Sequence, residues 1–176
     1  RLTDVTGVQT CALPIFRELK ASQLKIVRQS DQEHIVHSAD PEAQGRLRSF
    51  PEGFLSTSIV VCEGKSEIGL LRGLDLGRCE QKQRSLLSHG VSFLEAGGTT
   101  TVFSPACFFL SLGYRVAVLR DDDVELKGEP AAKREEFLSK GGQEYCTRSG
   151  CAIEDELFDI MSRSEERRVG KECRSR

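Results

Sequence analysis

A chain of 176 residues, 38% hydrophobic, 6% aromatic and 30% charged, with no Trp and a formal charge of −2, is long enough for one domain with its own core and too short for two large ones. No apolar run approaches the ~18 residues that a membrane span needs, and Leu, Ile, Val and Phe are too frequent for a disordered chain. The charge balance carries no bulk basic footprint for nucleic acid.

The two ends lack the period of either helix or strand. RLTDVTGVQTCALPI (1–15) and RSEERRVGKECRSR (163–176) both resemble in-frame translations of the adapter oligonucleotides used in short-read DNA sequencing. The first has no basic start followed by an unbroken apolar run, so it is not a signal peptide. Residues 1–16 and 163–176 are therefore set apart as non-native, leaving Arg17–Ser162. Without their seven basic and four acidic residues, 18 Lys and Arg face 23 Asp and Glu, a net charge of −5. Five Cys remain after Cys11 and Cys173 are removed. Odd in number and irregularly spaced, they form no disulfide framework and read as those of a reduced, cytoplasmic protein. The abrupt ends predict a piece of something longer.

Two short β-like runs come first, Gln23–Arg28 and Glu33–His37, on either side of a polar turn. Asp40-Pro41 opens a helical stretch through Arg48, with Asp40 as N-cap and Pro41 at the first helical position, and Pro51 breaks it. From Ser58 the pattern changes to strands alternating with helices. Ser58–Cys62 (SIVVC) is a wholly apolar run of the kind a buried parallel strand gives. Ile68, Leu71 and Leu74 form a helical stripe that ends in polar Gly77–Gln83. Val91–Leu94 is the next strand. Ser104-Pro105 then caps a helix over Ala106–Leu112, stopped by Gly113. Arg115–Leu119 is a third buried strand, Pro130–Lys140 a helix stopped by Gly141-Gly142, Gln143–Cys146 a fourth strand and Ile153–Met161 a last helix. The alternation predicts an α/β fold of right-handed βαβ units, a mostly parallel sheet flanked by helices.

In such a sheet, ligands bind beyond the carboxyl ends of the strands. The first of the buried strands ends in Glu63-Gly64-Lys65-Ser66-Glu67 and the third in Arg120-Asp121-Asp122-Asp123. Adjacent strand ends would crowd these carboxylates, which resist joint ionisation unless a cation compensates. Carboxylate oxygens are natural ligands of a hard divalent metal. Along an extended backbone Asp121 and Asp123 point one way and Asp122 the other, which leaves Asp122 as a surface or helix-capping charge. Gly64 allows a sharp turn after Glu63, and Glu67 falls in the first turn of the helix, at the positive end of its dipole. Gly64-Lys65-Ser66 is no P-loop, because that motif needs Gly where Ile59 stands. Asp121–Asp123 is no calcium loop, because the downstream Gly and Glu are off register. His34, His37 and His89 are scattered, Cys146 and Cys151 lack a second pair for zinc, and Lys65 and Arg120 read as charge balance near the acids.

The order strand–Glu-Gly, two βα units, Gly-Tyr-strand–Asp-x-Asp resembles a TOPRIM domain, the Rossmann-like metal-binding fold of topoisomerases, primases and some nucleases. The segments RLRSFPEGFL (46–55), CEGKSEIGLLRGLD (62–75), GGTTTVFSPACFFLSLGYRVAVLRDDD (97–123) and GCAIEDELF (150–158) are similar to the OLD-family ATP-dependent endonucleases. The resemblance implies that 17–57 is the end of an ATPase part with its linker, and that 58–162 is a TOPRIM domain truncated at its C-terminus. It implies metal ligation by Glu63, Glu67, Asp121 and Asp123, with Glu154 as a further metal-binding acid, and catalysis by Glu63, Asp121 and Asp123. It implies Mg²⁺ or Mn²⁺ as cofactor, DNA as substrate, ATP only through the absent ATPase part, and a homo-oligomer without membrane contact. Hydrolysis of the phosphodiester would follow a two-metal course. Family members use a Lys further along the chain, and Lys171, lying in the adapter-like end, does not stand in for it. The chain alone is therefore expected to cut little or nothing. Two other readings stay open. One is a non-catalytic TOPRIM module that binds DNA or a partner, disfavoured by the complete acid set. The other is a primase-like or topoisomerase-like enzyme, for which Tyr114 and Tyr145 lack a supporting motif.

Overall fold

The computed structural model describes residues 13–30 and 33–160. The adapter-like end 163–176 lies outside the described residues, as do Met161 and residues 1–12. Residues 13–18 form a short helix, α1, and its Phe16 packs partly buried against the core.

Strands β1 (Lys25–Ser30) and β2 (Glu33–Ser38) pair antiparallel with Val27 opposite Val36, close to the two predicted runs. Helix α2 (Ala43–Ser49) starts later than expected. Its N-cap is Glu42 rather than the expected Asp40, because Pro41 and Glu42 are taken up in a turn; Asp40 Oδ1 accepts the Ala43 N–H at 3.0 Å across that turn. Pro51 opens a further short helix, α3 (Pro51–Phe54), where a missing N–H is harmless in the first turn.

The rest alternates: β3 (Ser58–Cys62), α4 (Lys65–Glu80), β4 (Val91–Glu95), α5 (Phe103–Ser111), β5 (Arg115–Arg120), α6 (Glu129–Ser139), β6 (Gln143–Cys146) and α7 (153–160). Strands β3 to β6 form one sheet in the order β4-β3-β5-β6, every neighbouring pair parallel. The fold is α/β, a parallel sheet flanked by helices. Helix α5 begins at Phe103, ahead of the expected Ser104-Pro105 cap. The turn before it is already wound by Thr101, whose hydroxyl donates to the Ala96 and Gly98 carbonyls at 2.8 and 2.9 Å. Pro105 then falls inside the first turn, where its lack of an N–H is still tolerated.

Right-handed crossovers place α4 on one face, against β3 and β4, and α5 with α6 on the other, α5 lying against β3 and β5. Ile59, Val61, Val116 and Val118 point to the second face and are buried there under Phe103, Phe109 and Phe137. Ala21, Ile26, Leu47, Phe50 and Phe54 join the same core from upstream. On the α4 face Val60, Ala117 and Leu119 are only half-buried. The expected stripe on α4 is correspondingly weak: Ile68 and Leu71 are half-buried, Leu74 is 56% exposed, and the only buried side chain of the helix is Glu67. Among the described residues no helix is long and apolar enough to cross a membrane.

Gly142 shows how tightly α6 meets β6. A Cβ there would lie 2.3 Å from Cζ of the fully buried Phe137. Gly142→Ala is expected to destabilise the chain by about 1–3 kcal/mol through overpacking. A melting temperature within a degree of the parent's would refute that.

Candidate metal centre

Strands β3 and β5 are neighbours whose outgoing connections leave toward opposite faces, so a crevice opens at their carboxyl ends. The register pairs Cys62 with Leu119, and the Glu63 N–H continues the ladder to the Leu119 carbonyl at 3.0 Å. Glu63 and Asp121 are thereby carried to the same edge. The Asp121 N–H donates to Glu63 Oε2 at 3.2 Å.

Glu67 comes into the crevice from the first turn of α4, 3% exposed, its Oε2 accepting the Gly64 N–H at 2.7 Å. Gly64 itself is extended (φ −143°), a conformation open to any residue. The expected special turn is not used there, and what the position supplies is its N–H. Burial, then the charges of Glu67 and Glu63, push the Asp121 carboxyl up to about 6, with the exposed Asp123 adding the weakest push. Only the Ile153 N–H, donating to Asp121 Oδ1 at 2.9 Å, opposes this. Burial and like charges act in the same direction, each disfavouring the ionised carboxylate. Beneath them the Cys62 thiol is pushed up to about 12 by burial and by Glu67.

Glu154 lies on the rim. The Ser66 hydroxyl at the start of α4 donates to its Oε1, and this bond holds its pKa below the usual carboxylate range. The structure thus brings Glu63, Glu67 and Asp121 together, keeps Asp123 within electrostatic reach, and ties Glu154 to α4 one residue before Glu67. The extended backbone on which Asp121–Asp123 are expected to alternate ends at Arg120, and residues 122–124 bend; Asp122 is set apart from the cluster by its partner instead. It is neither a free surface charge nor a helix cap, because its Oδ1 takes the Arg120 Nη2 at 2.9 Å. Arg120 likewise balances Asp122 and Glu144 rather than the acid cluster.

Several contributors went unread in the sequence. The Thr99 hydroxyl donates to Glu63 Oε1, and the Gly97 and Gly98 N–H groups donate to the Glu63 carbonyl at 3.1 and 2.9 Å. All three follow β4, so the rule applied to the ends of β3 and β5 would have found them. A cleft of about 640 Å³ opens instead at the amino ends of the strands, beside Ser58, Val91, Arg115 and Gln143, and carries no carboxylate.

Among the described residues no group of three or more His, Cys, Asp or Glu forms a ready-made metal cage. The donor chemistry nevertheless fits a hard divalent ion: carboxylate oxygens, crowded, with no basic side chain among the described residues acting on Asp121. Residues 54–123 match the family described as Overcoming lysogenization defect protein-like, TOPRIM domain. No curated protein and no solved structure matches the chain.

Proposed function

We propose, with the match over residues 54–123 as premise, that this chain is the metal-binding module of a nuclease that hydrolyses DNA phosphodiester bonds. The observation that carries the reading is the crowding of Glu63, Glu67 and Asp121 from two separate βα turns, with Asp121 raised to about 6 by burial and by Glu67 and Glu63. Glu63, Asp121 and Asp123 are the residues that would hold Mg²⁺ or Mn²⁺, supported by Glu67 and, from the rim, Glu154. A pair of such ions supplies the charge stabilisation that an in-line displacement at phosphorus needs.

The protein's own share is orientation. Thr99 turns Glu63 through one oxygen while the Asp121 N–H fixes the other. The Ile153 N–H occupies Asp121 Oδ1, and each of these oxygens keeps a second lone pair for a cation. Glu67 is spent partly on the Gly64 N–H, which binds the helix start to the strand end. The complete acid set favours catalysis over a purely binding module.

The first test needs no activity. An ion at 100 times its dissociation constant stabilises the folded state by about 2.7 kcal/mol, which for a chain of this size raises the melting temperature by roughly 5–10 °C. Mg²⁺ and Mn²⁺ are expected to do so, and chelation to reverse it. A melting temperature that stays flat through the millimolar range of Mn²⁺ sinks the reading.

A further inference from the structure

Arg120, the last residue of β5, is 4% exposed and divides its donors among three acceptors. Nε donates to Glu144 Oε1 at 2.7 Å, Nη1 to the Asp121 carbonyl at 2.6 Å, and Nη2 to Asp122 Oδ1 at 2.9 Å. Glu144, on β6 and almost as buried, also accepts Arg134 Nε from α6, at 3.0 Å on Oε1 and 2.7 Å on Oε2. The Asp122 backbone is gripped too: its N–H donates to Thr147 Oγ1 at 2.9 Å and its carbonyl accepts the Gly150 N–H at 2.8 Å.

The consequence is directional. Arg120 holds the peptide that follows Asp121 and ties the Asp122 carboxylate to itself. With both groups of Asp122 held where the chain bends out of β5, Asp121 is presented to the Ile153 N–H through Oδ1 and to Glu63 through its own N–H. We propose that Arg120, locked by Glu144, is a positioning residue that aims Asp121 at the metal centre. This rests on the metal-binding reading above and deepens it. Buried ion pairs contribute little net stability, whereas partners that orient a ligand set metal affinity. A single ammonium cannot reproduce three divergent N–H bonds in one plane, so lysine is no substitute.

The test is Mn²⁺ affinity of the full 176-residue chain, measured by calorimetry on the parent, Arg120→Lys, Glu144→Gln and the control Phe137→Leu. Arg120→Lys and Glu144→Gln are expected to weaken Mn²⁺ binding by about tenfold or more while remaining folded by circular dichroism. The control loses stability in the core and keeps the parental affinity. In metal-free protein the Ile153 amide resonance, which reports the bond to Asp121, is expected to move in both Arg120→Lys and Glu144→Gln and not in the control. If Arg120→Lys does not fold, the isosteric Glu144→Gln decides. Parental affinity and an unmoved Ile153 resonance in the folded variants overturn the proposal, as does an equal loss in Phe137→Leu. A parent that binds no Mn²⁺ overturns the metal-centre reading and this proposal with it.

Discussion

Asp121→Asn is expected to stabilise the metal-free chain at pH 7 and at the same time abolish its response to Mg²⁺ and Mn²⁺. The two effects share a cause. Burial and the charges of Glu67 and Glu63 raise the Asp121 carboxyl to about 6, so ionising it works against folding. An acid whose pKa rises on folding binds its proton more tightly in the native state. Native stability therefore falls as pH climbs from about 4 to about 6 and stays lower above that. Two units correspond to about 3 kcal/mol in full, reduced by solvent screening at this partly exposed site to about 1–2 kcal/mol. Asparagine is neutral and retains an Oδ1 for the Ile153 N–H, so it recovers that amount at pH 7. Near pH 4, where the parent is protonated in both states, the advantage disappears. In a cleavage-competent protein carrying this segment, the same change is expected to reduce Mg²⁺-dependent nicking by about a thousandfold. Melting curves in chelator at pH 4 and 7 check the first half, and a supercoiled-plasmid assay checks the second. A variant less stable than the parent at pH 7, or one that still nicks at the parental rate, refutes the assignment.

The sequence carries the site's main ligand candidates because they obey a short-range rule. Glu63 and Asp121 each stand within one residue of a run of apolar β-formers, and a parallel sheet puts such positions along one edge. The strands β3, β5 and β6 are readable for the same reason: SIVVC and RVAVL have no polar interruption, and glycines end the helix before β6. What the letters do not show is long-range. That Glu144 meets Arg120 depends on β6 pairing with β5, with Glu144 opposite Val118 and Cys146 opposite Arg120, and a Glu in a four-residue strand looks like any solvated charge. Thr99 sits in a run of three threonines, none of which differs from the others until the turn is built. Leu74 misleads in the opposite direction. It keeps helical spacing with Ile68 and Leu71, yet α4 covers only the β3–β4 side of its face, so spacing overstates burial.

Phe109→Ala should cost about 3–5 kcal/mol, a large part of the total stability of a domain this size. Phe109 is fully buried and meets four aromatic rings, mostly edge-on: Phe50 at 6.0 Å, Phe54 at 5.3 Å, Phe108 at 5.1 Å and Tyr114 at 5.4 Å. The cluster is a junction rather than a patch. Phe50 and Phe54 come from the segment before β3, Tyr114 leads into β5, and α5 carries Phe109 between them. Tyr114 ties the pieces further, donating its hydroxyl to the Phe54 carbonyl at 3.0 Å beneath the Arg28 guanidinium, 3.7 Å from the ring centre. Removing the central ring leaves a cavity that four fixed neighbours cannot all collapse into, which places the cost at the upper end of the range. In urea, where such a chain loses about 1–3 kcal/mol per molar, the midpoint should fall by roughly 1.5–3 M with an unchanged slope. Leu74→Ala, on the outer side of α4, is the matched contrast and should stay within about 0.5 kcal/mol of the parent. If the two midpoints moved together, the core would not be centred on the α5 face of the sheet. The strand ends that present Glu63 and Asp121 would then rest on some other packing.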